Sequence, residues 1–345
     1  MSRISKYSYQ IINNLCNQSE TLISKSSLLN MKNMETKHRI LIASQFIHNE
    51  LPIRLARRVK DLEQLPLQLD SNHEIFKIRD WYLQSLDDIT LLPKPLNQDQ
   101  CIDTNKVVQK IYNRHCNTLT TMACGIDKLK KNNLINNNID HFLTKFNYNR
   151  TRTRFLINNY LDYYKNNIDT IGSLNTKCEI NNIINSVLED INAITEVHRI
   201  KMPEIKLNIP NKEFLYTQSY IHYALIEIIK NSIVATKNMN NPLIEINGYV
   251  DNNYIILKIS DNGIGIDKKH MDDIWKFSFT TTKIDFDNTS SNHFEKQNPL
   301  SGLGYGLPIS RIILQTFNGD IKIFSKQNIG TDTYLFIDIA SDWKC

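Results

Sequence analysis

After Thr170 the hydrophobic pattern of this 345-residue sequence changes from long helices alone to helices followed by short β-rich runs, so one kind of secondary-structure layer cannot account for the whole chain. Upstream, Leu51, Leu55, Val59 and Leu62 recur at helical spacing and mark one face of a helix from Lys37 to about Leu65. Further helical patterns run through Phe76 to Leu91, Lys106 to Lys130 and Ile139 to Tyr164, with Pro- or Asn-rich breaks at Leu92 to Asn97 and Asn132 to Asn138. Four long helices joined by polar loops predict a bundle. Downstream, helices are expected at Ile180 to Val197 and Gln218 to Lys237, on either side of Pro203 and Pro210. Leu243 to Val250 and Tyr254 to Ser260 flank Asp251-Asn252-Asn253 and read as an antiparallel hairpin, with two more strands at Ile321 to Ser325 and Tyr334 to Ile339. The expected architecture is α+β: a helical bundle over residues 1–172, then a mostly antiparallel sheet with helices on one face over 173–345. Length agrees, because single cores stop growing beyond about 250–300 residues.

The totals exclude several classes. With 41% hydrophobic and 22% charged residues the chain has the make-up of a folded protein, not a disordered or fibrous one. The formal charge of +5 is spread thinly, without a run of like charges, so an acidic protein partner fits better than nucleic acid. Cys16, Cys101, Cys116, Cys124, Cys178 and Cys345 show neither a C-x-x-C pair nor zinc spacing and read as reduced thiols of an intracellular protein. No stretch approaches the roughly 18 apolar residues of a membrane helix, so a soluble protein is expected. Met1 to Ser19 holds Arg3 and Lys6 and no acid, the bias of an organelle transit segment, although a frayed terminus reads the same way.

Four short segments carry chemistry. In the helix Ala224 to Ala235, Glu227 and Asn231 stand one turn apart and share a face, which either meets water or lines a polar cleft. Asp261-Asn262-Gly263-Ile264-Gly265-Ile266 follows a strand directly. Gly263 and Gly265 let the backbone approach a flat ligand, and Asp261 offers an acceptor for an exocyclic amine. Gly302-Leu303-Gly304-Tyr305-Gly306-Leu307-Pro308 runs into a helix whose free amides attract phosphate, without the G-K-[ST] ending of a Walker loop. Gly330-Thr331-Asp332 reads as a turn between the last two strands. Any one of these is weak evidence. In this order they resemble the four boxes of the Bergerat (GHKL) ATPase superfamily, which includes gyrase and the histidine kinases. That likeness implies an α/β sandwich ATP-binding domain, with the Asn- and Ser-rich stretch from Ile284 to Leu300 as a mobile lid over ATP.

Within that superfamily the chain resembles the mitochondrial pyruvate and branched-chain 2-oxoacid dehydrogenase kinases from about residue 40 to 340. Asn49-Glu50-Leu51-Pro52-Ile53-Arg54-Leu55-Ala56 is similar to the family's Q-E-L-P-V-R-L-A, and Trp81-Tyr82-Leu83-Gln84-Ser85 to its W-Y-x-Q-S. Gly304 to Arg311 nearly repeats the family's wording. The resemblance implies transfer of the ATP γ-phosphate to a serine on the E1 component of such a complex in the mitochondrial matrix, inactivating it. The bundle would serve as partner-binding domain, a lipoyl-bearing E2 as docking partner, and a homodimer is left open.

Carried onto this chain, the resemblance makes Glu227 the general base and Asn231 the Mg²⁺ ligand. It makes Asp261 the reader of adenine, helped by Thr331, and gives nucleotide contacts to Gly263, Gly265, Thr280, Thr281, Gly302, Leu303, Gly304, Tyr305, Gly306 and Leu307. Lys230 is a further phosphate contact, or a lysine snorkelling from its helix. Two positions depart: Val234 stands where the family commonly has Arg, and Tyr223 where the pyruvate enzymes have a histidine four residues before the glutamate. Asp342-Trp343 is similar to a tail motif of those enzymes, but it follows the sheet at once and reads as coincidence. Two rivals stay open: a histidine kinase, with His48 ahead of Pro52 faintly like its acceptor site, and a degenerate ATP-binding docking module.

Overall fold

The computed structural model describes residues 6–64, 72–131, 137–165, 169–197, 199–280 and 304–345. The chain divides into two compact units, Met1–Ser173 with Lys344–Cys345, and Leu174–Trp343.

The first unit holds α1 (Lys6–Cys16), α2 (Lys25–Asn30), α3 (Thr36–Glu63), α4 (His73–Thr90), α5 (Gln98–Arg114), α6 (Thr118–Lys131), α7 (Asn137–Asp162) and the two-residue β1 (Thr170–Ile171). Helix α3 is its axis, packed on α1, α4, α5 and α7. The apolar face read from sequence is what it buries: Leu51, Leu55, Val59 and Leu62 are all inside. Glu50 and Arg54 are buried too, and their presence in a core needs partners. Arg54 Nε donates to Glu50 Oε1 at 2.9 Å, Arg54 Nη2 to the Thr21 carbonyl at 2.8 Å, and the Thr21 amide to Glu50 Oε1 at 3.0 Å. Removing either charge strands the other in the core, a change typically worth about 3–5 kcal/mol.

The single helix expected over Lys106 to Lys130 is two, α5 and α6, broken at His115–Asn117. The helical ladder gives way there to tighter turns, the Cys116 amide bonding the Asn113 carbonyl at 3.2 Å and the Thr118 amide the His115 carbonyl at 3.3 Å. The His115 ring is buried against Ser85, its Nε2 3.0 Å from the hydroxyl. Arg114 Nη1 also donates to that oxygen at 2.7 Å. Burial, then the charges of Arg150, Arg114 and Arg154, lowers the His115 pKa to about 3, so the ring is neutral at neutral pH. His48 has its Nε2 2.9 Å from the Leu92 carbonyl, to which it donates.

The second unit contains β2 (Leu174–Glu179), α8 (Ile180–Val197), β3 (Glu204–Asn208), β4 (Glu213–Tyr216), α9 (Gln218–Thr236), β5 (Leu243–Val250), β6 (Tyr254–Asp261), β7 (Asp320–Lys326) and β8 (Gly330–Asp338). Helix α10 (Gly306–Thr316) precedes β7. Five strands form one sheet in the order β3-β5-β6-β8-β7, antiparallel except for the parallel edge pair β3 and β5. Strands β2 and β4 pair separately, antiparallel. Helix α9 packs between α8 and α10 and against β6. Its buried face of Ile221, Ala224, Leu225, Ile228 and Ile229 shares the core with Ile244, Ile246, Ile255, Leu257, Ile259, Leu335 and Ile337 of the sheet. Trp343, read from sequence as a coincidental match, is a core residue, 1% exposed and edge-on to Phe317 at 4.7 Å between ring centroids.

The turn expected at Gly330 to Asp332 lies earlier. Gly330 already pairs with Lys326, and the chain reverses through Asn328 at φ +63°. Thr331 therefore sits inside β8, directly opposite Asp261 of β6.

Candidate functional site

A cleft of about 350 Å³ in the second unit is lined by α9, the end of β6 and the segment after it, Phe279 and Thr280, the start of α10, and strands β7 and β8. Glu227, Asn231, Ser232 and Val234 come from α9, where three- and four-residue spacing turns Glu227, Asn231 and Val234 to one side. Asp261, Gly265, Thr280, Gly304, Gly306, Leu307 and Thr331 complete the sequence-expected set on the cleft wall. Thr281, Gly302, Leu303 and the stretch 284–300, expected to contact or cover the nucleotide, lie outside the described residues.

Asp261 ends β6 with both carboxylate oxygens engaged. The Gly263 amide donates to Oδ1 at 3.0 Å and the Ser232 hydroxyl to Oδ2 at 3.0 Å. Burial pushes this carboxyl above the usual aspartate range, and the donors, including the Thr331 amide, pull it back toward ionisation. The glycines here have steric causes. Gly265 has φ +64°, and a Cβ on it would run into the Lys326 carbonyl. A Cβ on Gly306 would overlap the Glu227 carboxylate, which packs against the N-terminus of α10.

Glu227 accepts from Lys230 Nζ at 3.0 Å, both side chains being largely covered. Lys230 itself is not on the cleft wall, so its ammonium reaches the site through Glu227. Tyr305 is also away from the wall: its ring is buried, edge-on to Phe277 at 4.9 Å. Gly263 contributes its amide to Asp261 and no surface to the cleft. Asn231 is exposed, and its side-chain amide has no hydrogen-bond partner among the described residues. Val234, 44% exposed, presents methyl groups. Among the described residues lining the cleft there is no lysine or arginine, and His270 is the one basic group.

Several wall residues escaped the sequence reading. Thr333 lies two residues past Thr331 on the same strand face, so strand periodicity carried a signal for it, whereas Ser232, next to Asn231 in the helix, had none. Asp267 caps and His270 ends a short 3₁₀ turn, Lys268–His270, for which no periodicity exists.

Comparison with known proteins finds relatives of both units. A family model described as mitochondrial branched-chain alpha-ketoacid dehydrogenase kinase matches residues 22–185, and one described as histidine kinase-, DNA gyrase B-, and HSP90-like ATPase matches 217–341. The mitochondrial pyruvate dehydrogenase (acetyl-transferring) kinase of Arabidopsis thaliana is 30% identical over 94% of this chain and 92% of its own length. The human mitochondrial isozyme 4 of that kinase is 31% identical over 86% of this chain and 76% of its own, and isozyme 1 is 28% identical over 86% and 72%. With matches of this extent on both units, the chain belongs to the mitochondrial 2-oxoacid dehydrogenase kinases, ATP-dependent protein kinases of the GHKL superfamily.

Proposed function

We propose that this kinase transfers the γ-phosphate of ATP to a serine of the E1 component of a pyruvate or branched-chain 2-oxoacid dehydrogenase complex, and thereby inactivates it. The observation that carries the reading is the convergence of Glu227, Asn231 and Asp261 on one cleft in a chain whose relatives are named pyruvate dehydrogenase kinases. Those relatives are also named mitochondrial, which supports a mitochondrial, matrix setting. No helix of the described residues is long and apolar enough to cross a membrane. The bundle is the partner-binding part, with a lipoyl-bearing E2 as docking partner; a homodimer fits this reading as well.

The roles follow from the chemistry at each atom. Asp261 accepts from the adenine amine, and the positive backbone angles of Gly265 and Gly304 keep the walls low enough for a nucleotide. Gly304, Gly306 and Leu307 bring the amide end of α10 toward the phosphates. The free, exposed Asn231 amide oxygen is a hard ligand that suits Mg²⁺, an ion that otherwise keeps waters and phosphate oxygens. Bound there, the ion supplies neutralising charge, which matters more in a cleft whose described wall lacks lysine and arginine. Glu227 takes the proton of the serine hydroxyl as that oxygen bonds to the γ-phosphorus and the bond to the β-γ bridging oxygen breaks. Lys230, now on Glu227, is long enough to neutralise phosphate once the base is engaged.

The test is incubation with ATP radiolabelled on the γ-phosphate, Mg²⁺ and purified E1 of either complex. Acid-stable label on an E1 serine is the expected result. Acid-labile label on the kinase itself would favour histidine autophosphorylation, and no label a docking module.

A further inference from the structure

Ser232 is 4% exposed, yet it belongs to the cleft wall beside Asn231. A serine in a helix interior ordinarily spends its hydroxyl on a carbonyl one turn back. Here the hydroxyl crosses to the sheet and donates to Asp261 Oδ2 at 3.0 Å. The Gly263 amide fixes Oδ1 from the other side, also at 3.0 Å. Held at both oxygens, the carboxylate cannot rotate about its own axis, and its remaining lone pairs point one way. The serine oxygen, its proton committed, likewise has only lone pairs left.

We propose that Ser232 is the positioning residue for nucleobase choice: it locks Asp261 so that the carboxylate turns its remaining lone pairs, acceptors only, toward the base. A purine with an amine at its six-position, adenine, meets complementary groups. Guanine, with a carbonyl there, meets acceptor against acceptor, and a buried mismatch of this kind is strongly discriminating. The inference rests on the ATP-site reading above and adds a second residue to its specificity.

The experiment is calorimetric binding of ATP and GTP, with Mg²⁺, to the wild-type chain and to Ser232→Ala and Ser232→Thr, plus steady-state KM and kcat for ATP. Ser232→Ala is expected to weaken ATP about tenfold and to narrow the ATP-to-GTP ratio by a similar factor. Its kcat at saturating ATP should stay within about twofold, since the hydroxyl touches no reacting atom. Ser232→Thr, which keeps the hydroxyl, should restore most of the ATP affinity. A merely structural serine would lower melting temperature and kcat together and leave the base ratio unchanged, which overturns the proposal. So does a Ser232→Ala protein that binds both nucleotides like wild type. A wild-type chain that binds no ATP would overturn the site reading itself, and the proposal with it.

Discussion

Asn231 and Asp261 differ in what holds them. Asp261 is fixed by three donors, whereas Asn231 is exposed to the cleft with no hydrogen-bond partner among the described residues, so the two are expected to respond differently to substitution. Asn231→Ala should abolish Mg²⁺-dependent ATP binding while shifting unfolding free energy by no more than about 0.5 kcal/mol, because truncating an exposed side chain opens no cavity. Calorimetric titration alongside a thermal melt decides it; micromolar ATP binding retained by the variant refutes the metal assignment. Asp261→Asn should bind ATP more weakly and discriminate less against GTP, since an amide can donate to the guanine carbonyl as well as accept. An unchanged preference in competition binding counts against Asp261 as the base reader. The sequence made both residues legible because each sits in a short motif with glycines or a helix turn around it. Ser232 was invisible as an actor for a physical reason: its hydroxyl reaches across from α9 to β6, and such a pairing has no one-dimensional trace.

Elements were legible where periodicity was long. Helices α3, α8 and α9 and the β5–β6 hairpin were read nearly to their ends, because a buried stripe over many turns, or alternation on both arms of a hairpin, leaves a strong pattern. The short strands β2, β3 and β4 were missed: edge residues such as Glu204, Lys206 and Asn208 are exposed and impose no alternation of polarity. The α5–α6 break was missed because tertiary burial of His115 sets it, not a glycine or proline. The G-T turn was misplaced by a few residues, since Asn328 takes the left-handed conformation that the glycine seemed to announce. Gly265→Ala tests the segment after β6 as an element. A side chain at φ +64° against the Lys326 carbonyl should cost about 1–3 kcal/mol and lower the melting temperature by several degrees. An unchanged melt would show that the backbone there does not need glycine.

For the whole molecule, α9 is both the core helix of the second unit and the source of Glu227, Asn231 and Ser232, so stability and chemistry share one element with two faces. The matches to both units place the chain among kinases, and in its cleft Val234 presents methyl groups while Ser232 holds Asp261. Glu227 bears the central claim, because the proposed base is what would make a nucleotide pocket a phosphotransferase. The direct measurement compares Glu227→Gln with wild type in ATP affinity, melting temperature and phosphate transferred to E1. Glutamine keeps the shape and an acceptor oxygen but loses the charge that draws the serine proton, an effect confined to the transition state. The account predicts ATP affinity within a few-fold of wild type, an intact fold, and transfer reduced by about 10²–10⁴. Transfer to E1 within a few-fold of wild type would contradict it and return Glu227 to the role of a packed residue beside Lys230 and Gly306.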